Sequence, residues 1–220
     1  MLSHTILLAS GLAVALSASA AQAQPAAPAA RPMTTLQMPA LPEPARVTLK
    51  PASTGLVLLD FVDPICKNQA QCVGKMVPAF ASLMGRARAA GITVAYGTRA
   101  PNMSKWLPEV APQAGDIKIE NTAQDRFYNT DLDKALKAKG VTTIVMAGWK
   151  VSGSVTYTSV GAMVRDYTVV VPVDATAAAS DYETTIGFYN ILNSGNANLA
   201  NAPLKAKSAT LSRTDLITFQ

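Results

Sequence analysis

Apolar positions along this chain follow two alternating patterns. Short unbroken runs rich in Val, Ile and Leu occur at residues 54–61 (TGLVLLDF), 92–98 (ITVAYGT), 142–147 (TTIVMA) and 168–173 (TVVVPV). Two briefer runs lie at 116–120 (DIKIE) and 209–212 (ATLS). Between them the spacing widens to that of a helix. Met76, Phe80, Leu83, Met84 and Ala87 mark one face of residues 75–90, which stop at Gly91. Residues 130–139 open with Thr130 as an N-cap, carry acids early and lysines late, and precede Gly140. Two more helices are expected at 154–166 and 180–192, the second capped by Ser180. Strands that are apolar throughout, alternating with helices, predict an α/β fold. The expected architecture is a three-layer sandwich, a mostly parallel six-stranded sheet with helices on both faces.

Ahead of this pattern the chain reads differently. Residues 1–23 have a short polar start, an apolar run over 6–16 and small residues ending in Ala21-Gln22-Ala23, the form of a secretory signal peptide. The expected location is therefore periplasmic or secreted. No later segment reaches the roughly 18 apolar residues of a membrane-spanning helix, so no integral membrane span is expected. Residues 24–46 are rich in Pro and Ala and read as an extended arm or linker, too poor in core-forming residues to fold alone. Residues 47–220 have the length of one domain.

Composition narrows the chemistry. Lys and Arg number 19 against 14 Asp and Glu, a net charge of +5. The charge is scattered over helix faces, without a basic cluster interleaved with aromatics, which argues against nucleic acid as a partner. The two cysteines, Cys66 and Cys72, bracket KNQAQ in a chain expected to be exported, and a short-loop disulfide is the default reading. His4, the one histidine, lies in the signal-like segment. A processed chain would hold no imidazole, which removes Ser-His-Asp and Cys-His catalysis and His-containing zinc sites. No metal and no cofactor are expected.

Candidate chemistry collects at strand ends. In parallel α/β sheets, ligands bind beyond the carboxyl ends of the strands. Asp60, the Glu120–Asn121 pair and the Gly148–Ser154 turn all fall there and should converge on a small-molecule ligand. Ser154 is expected on the first turn of a helix, where amides stabilise negative charge and a nucleophile is commonly presented.

Three segments carry a resemblance. LVLLDFVDP is similar to the opening strand of the isochorismatase-like hydrolases, which include nicotinamidases and related cysteine amidohydrolases. IENTAQDRFYNTDLDKALKAKGVTTIVMAG resembles the family's I-E-K-T-x-x-S-A-F-x-x-T-D-L-D segment with its helix and following strand. GWKVSGSVTYTSVGAMVRDYTVVVPVDAT resembles G-V-x-T-N-x-C-V-x-x-T-A-x-D-A and its continuation. The likeness runs over most of residues 54–218. It implies an aspartate, lysine and cysteine catalytic set. The aspartate matches Asp60, the lysine position holds Asn121 and the cysteine position holds Ser154.

That departure matters because the thiol works only when a nearby cation and helix amides favour its thiolate. A serine hydroxyl needs a strong base instead, and asparagine brings no charge. The branch that cleaves vinyl ethers without the cysteine keeps the lysine, so the chain does not match it either. Each residue keeps two readings. Asp60 is an acid/base group or a strand-end carboxylate bonded to amides. Ser154 is a nucleophile or a helix-starting polar residue. Asn121 orients a ligand or bonds to its own loop. Lys150 is a candidate replacement cation or a solvated turn lysine. Trp149 stacks on a planar ligand or packs the wall. Asp63 and Arg126 lie near the rim by the family match, as ligand-binding residues or as loop contacts. Family members commonly associate, which leaves a homo-oligomer open. The function expected is an exported hydrolase-like protein acting on or binding a small molecule; the alternative is a catalytically inactive binding or interaction module.

Overall fold

The structure, a computed structural model, describes Thr35 and residues 37–220; the signal-peptide assignment and the first part of the arm lie outside the described residues. Residues 39–220 form one compact unit. In chain order its elements are β1 (Val47–Leu49), β2 (Thr54–Leu59), α1 (Asp63–Cys66), α2 (Val77–Ala89), β3 (Thr93–Arg99), β4 (Ile117–Asn121), α3 (Leu132–Ala138), β5 (Thr143–Trp149), α4 (Thr156–Met163), β6 (Thr168–Pro172), β7 (Thr176–Ala177), α5 (Asp181–Leu192), β8 (Ala209–Ser212) and β9 (Ile217–Phe219). The main sheet runs β4-β3-β2-β5-β6-β8 and every pairing in it is parallel. These are the six strands expected. The two-residue β7 adds a seventh beside the end of β5.

Period-two alternation divides the strands between two cores. Leu56 and Leu58 of β2 join Val94, Tyr96, Val145 and Ala147 against Phe80, Leu83 and Met84 of α2. Val57 and Leu59 join Ile144, Met146, Val169 and Val171 on the other face, against residues of α3, α4 and α5 such as Leu136, Ala162 and Ile191. Each large apolar side chain buried this way contributes about 1.5–3 kcal/mol, which is why both faces must be covered.

Several boundaries differ from the sequence reading, for local reasons. The 130–139 helix begins at Leu132 with Asp131 at the cap, because the Thr130 hydroxyl turns back to the Arg126 carbonyl (2.5 Å). Ser180 does cap α5, accepting from the Glu183 amide at 3.2 Å. The segment before α2 opens as a wide turn at Cys72–Met76. Cys66 and Cys72 form the expected disulfide, both fully buried, with Cα atoms 5.4 Å apart.

Two features outside the main sheet were not legible from periodicity. β1 and β9 form a parallel pair, Val47 beside Ile217 and Leu49 beside Phe219. Arg86 of α2 fastens the pair's C-terminal partner by donating to the carbonyls of Ile217 (2.6 Å) and Thr214 (2.5 Å). The arm's last residues are also tied down along β8: the Ala45 amide donates to the Leu211 carbonyl (2.9 Å) and Ser212 Oγ to the Ala45 carbonyl (2.7 Å). Among the described residues, no helix is long and apolar enough to cross a membrane.

Candidate active site

The carboxyl ends of β2, β3 and β5 border a cleft of about 370 Å³. Asp60, Arg99, Gln124, Arg126, Trp149, Lys150 and Ser154 all line it. Convergence of Asp60 and the Gly148–Ser154 turn is thus as the strand order demands. The register places Leu59 between Gly97 and Gly148, so Asp60 emerges with β3 on one side and β5 on the other.

Asp60 leaves β2 with φ at +59°, a left-handed conformation uncommon outside glycine, and is 4% exposed. Its Oδ1 accepts from Thr98 Oγ1 (2.9 Å) and the Arg99 amide (3.1 Å). Its Oδ2 accepts from Arg126 Nη2 at 2.8 Å. Both carboxylate oxygens are therefore committed. Gly148, at φ +144°, lies against this strand end: a Cβ there would fall 2.0 Å from the Leu59 carbonyl oxygen, so a side chain is excluded.

Arg126 corrects the sequence reading. It is not a rim contact; it is 2% exposed and pairs with Asp60 from sixty-six residues away. Its Nη1 donates to Asn121 Oδ1 (2.8 Å) and to the Ala123 carbonyl, and its amide donates to Thr158 Oγ1. Gly97 makes room for it, since a Cβ there would meet Arg126 Cγ at 2.8 Å. In the family segment quoted above, position 126 is an alanine and position 121 the lysine. Here a cation is absent at 121 and present at 126, and it sits beside Asp60.

Asn121, the last residue of β4, does not line the cleft. Its Nδ2 donates to the carbonyls of Asp125 (2.9 Å) and Tyr128 (3.0 Å), while its Oδ1 orients Arg126. Asp125 is packed toward α4; burial pushes its carboxyl up from the ordinary range, opposed by the Phe127 amide and by Arg165 and Arg126. Lys150 lines the cleft, but its ammonium is held by Glu183 of α5 at 2.7 Å rather than by Ser154. That ammonium holds the Glu183 carboxyl below the usual range. Asp63 stands exposed at the start of α1, 3.5 Å from Lys67, and is not a lining residue; its neighbour Ile65 takes the place at the wall.

Ser154 is 6% exposed and lies in a wide turn, Val151–Val155, that is broken at Gly153 before α4 begins. The expected α-helical first turn is instead this irregular segment. Ser154 Oγ donates to the Trp149 carbonyl at 2.9 Å. Its proton points at a backbone oxygen, not at a base. Trp149 itself is 8% exposed, packed in the first core, and also lines the cleft.

Residues 54–201 match the Isochorismatase domain. The chain belongs to the isochorismatase family. Among named relatives, it is 27% identical to the ureidoacrylate amidohydrolase RutB of Methylobacterium radiotolerans, the match covering 69% of this chain and 80% of that one. Identity to the maleamate amidohydrolase of Pseudomonas putida is 37%, over only 31% of this chain and 32% of that one. Of solved structures, the N-carbamoylsarcosine amidase of Thermoplasma acidophilum superposes with a TM-score of 0.60 at 25% identity, covering 74% of this chain and 97% of that one. An isochorismatase family protein of Burkholderia thailandensis reaches a TM-score of 0.64 at 22% identity, covering 79% and 97%, a likeness of fold.

Proposed function

We propose that this isochorismatase-family chain binds a small acyl compound in the strand-end cleft and does not perform thiol-type amide hydrolysis. The observation that carries the reading is the commitment of both reacting groups. Ser154 Oγ donates its hydrogen bond to the Trp149 carbonyl, and both Asp60 oxygens accept hydrogen bonds, from Thr98, the Arg99 amide and Arg126. A serine without a base is a poor nucleophile, and general-base catalysis needs the base within about 3 Å of the proton it takes. The test is turnover of amides, esters and vinyl ethers by the processed protein beside Ser154→Ala and Asp60→Asn. The expected result is no turnover above the two variants. Hydrolysis that disappears with Ser154→Ala overturns the reading.

One observation favours a second reading, a weak amide hydrolase with Asp60 as acid/base. Arg126 restores a cation beside that aspartate within a cleft that also holds Ser154. Turnover lost on Asp60→Asn would establish it. We also propose that the chain is exported, with cleavage after Ala23, leaving residues 24–38 ahead of the compact unit 39–220. N-terminal sequencing of protein recovered from the periplasm or medium tests this, and a retained Met1 refutes it.

A further inference from the structure

A second pocket lies beside the strand-end cleft and shares no lining residue with it. It holds about 290 Å³ between the wide turn at Cys72–Met76, β7 and the start of α5. The register sets Ala177, in its wall, beside Trp149, in the wall of the cleft. The Cys66–Cys72 disulfide ties the wide turn back to α1, so this side of the pocket is fixed.

Two independent observations bear on its occupant. The first is an orphaned hydroxyl. Thr176 lines the pocket and is 0% exposed, and among the described residues its Oγ1 has no hydrogen-bond partner. The other lining threonine is committed: Thr184 Oγ1 donates to the Ser180 carbonyl (2.9 Å) and accepts from the Ala178 amide (3.0 Å). A buried hydroxyl left unbonded costs free energy, so each one in a native fold calls for an explanation.

The second observation is charge. Asp174, Asp181 and Lys75 line the pocket, and among the described residues none of them belongs to an ion pair. Arg213, whose charge reaches Asp174, is taken by Asp215 at 2.5 Å. The lining therefore carries an excess of one negative charge. Asp174 accepts from the Thr214 amide (2.9 Å) and hydroxyl (2.6 Å), and a carboxylate has room for further donors. Asp181 stands exposed at the start of α5, where Ser180 already supplies the cap. Met76, Ala79, Val173 and Ala177 add apolar wall.

We propose that this pocket is a binding site for a small primary ammonium ion with a short alkyl chain. Such a group brings three donors and one positive charge. It gives Thr176 Oγ1 the partner it lacks and balances the two aspartates against Lys75, while its chain covers the apolar wall. A carboxylate of the same size would be repelled, and an alcohol would leave the charge unbalanced.

The experiment is a titration of the isotope-labelled protein with n-butylammonium, n-butanol and butyrate at low salt, followed by amide chemical shifts. Butylammonium is expected to bind in the millimolar range, at least about fivefold tighter than the other two, and to move the amides of Thr176 and Ala177. Thr176→Val should weaken it about tenfold, and Thr176→Ser, which keeps the hydroxyl, should bind as wild type does. Asp181→Asn should weaken it about threefold, whereas Lys75→Gln should tighten it by a similar factor, because a like charge is removed. A merely structural role for these residues would not produce opposite signs at positions 181 and 75. Equal binding of all three probes overturns the proposal, as do shifts confined to the strand-end cleft or affinity untouched by both Thr176→Val and Asp181→Asn. Absence of any shift up to about 50 mM butylammonium overturns it as well. The dispersion of each variant's spectrum identifies a protein that has failed to fold, and the exposed positions 181 and 75 then carry the test.

Discussion

Arg126→Met should cost this domain about 3 kcal/mol. The substitution keeps an unbranched apolar stem against Gly97 but removes the donors to Asp60 Oδ2, Asn121 Oδ1 and the Ala123 carbonyl. Truncating one partner of a buried ion pair costs about 3–5 kcal/mol, because the other charge stays buried without its counterion. The lower end applies here: Asp60 keeps Thr98 and the Arg99 amide, and it borders the cleft, where water can replace part of the loss. At about 2–4 °C per kcal/mol for a domain of this size, the melting temperature should fall by roughly 6–12 °C. Asp60→Asn combined with Arg126→Met should recover most of that, since neutral replacements leave no charge stranded. Urea unfolding followed by circular dichroism reads all three proteins, with an unchanged denaturant slope as the check that the transition stays two-state. If Arg126→Met lies within about 1 kcal/mol of wild type, or the double variant is no better than the single, the pair does not carry the weight given to it here.

Three further outcomes are expected. Asn121→Lys with Ser154→Cys should not produce an amidase, because the new ammonium would crowd Arg126, whereas adding Arg126→Ala should produce measurable amide turnover; activity already present in the double variant would refute the relocated-cation account. Replacing Cys66 and Cys72 together by Ala should lower stability by about 2 kcal/mol, the chain-entropy value for so short a loop, read by urea unfolding; no change would show that the turn is held without the bond. Asp125→Asn should raise the melting temperature at pH 7, with the gain shrinking as pH falls through the carboxylate range. The sign follows from its raised carboxyl: a group whose folded pKa is raised favours the fold while protonated, and loses that as pH rises. A gain independent of pH would refute it.

Strands and the strand-end site were legible because they depend on runs of apolar residues and on the rule that such sheets bind ligands at their carboxyl ends. Asp60, Trp149 and Ser154 accordingly line one cleft. Arg126 was misplaced because its partner is distant in sequence and the family pattern has a small residue at that position. The usable signal was compensation: a lysine missing at 121 and an arginine gained five residues later on the same loop. Lys150 kept two readings because it stands four residues before Ser154, but a wide turn broken at Gly153 does not keep helical spacing, and Glu183 claims the ammonium. The β7, β1 and β9 strands are two or three residues long, below the length at which alternation can be read.

The pairing of β1 with β9 also bears on how the domain is made. Its first strand has a parallel partner only when residues 217–219 exist, and the Gln220 amide closes the pair on the Leu49 carbonyl at 3.0 Å. A chain emerging from the ribosome therefore carries an unmatched edge until residues 217–219 have been made. Contacts this far apart in sequence are slow to form. Removing residues 217–220 would leave that edge unmatched permanently, and a tag fused after Gln220 would depart near Lys50, past the end of β1, away from Val47 where the arm enters.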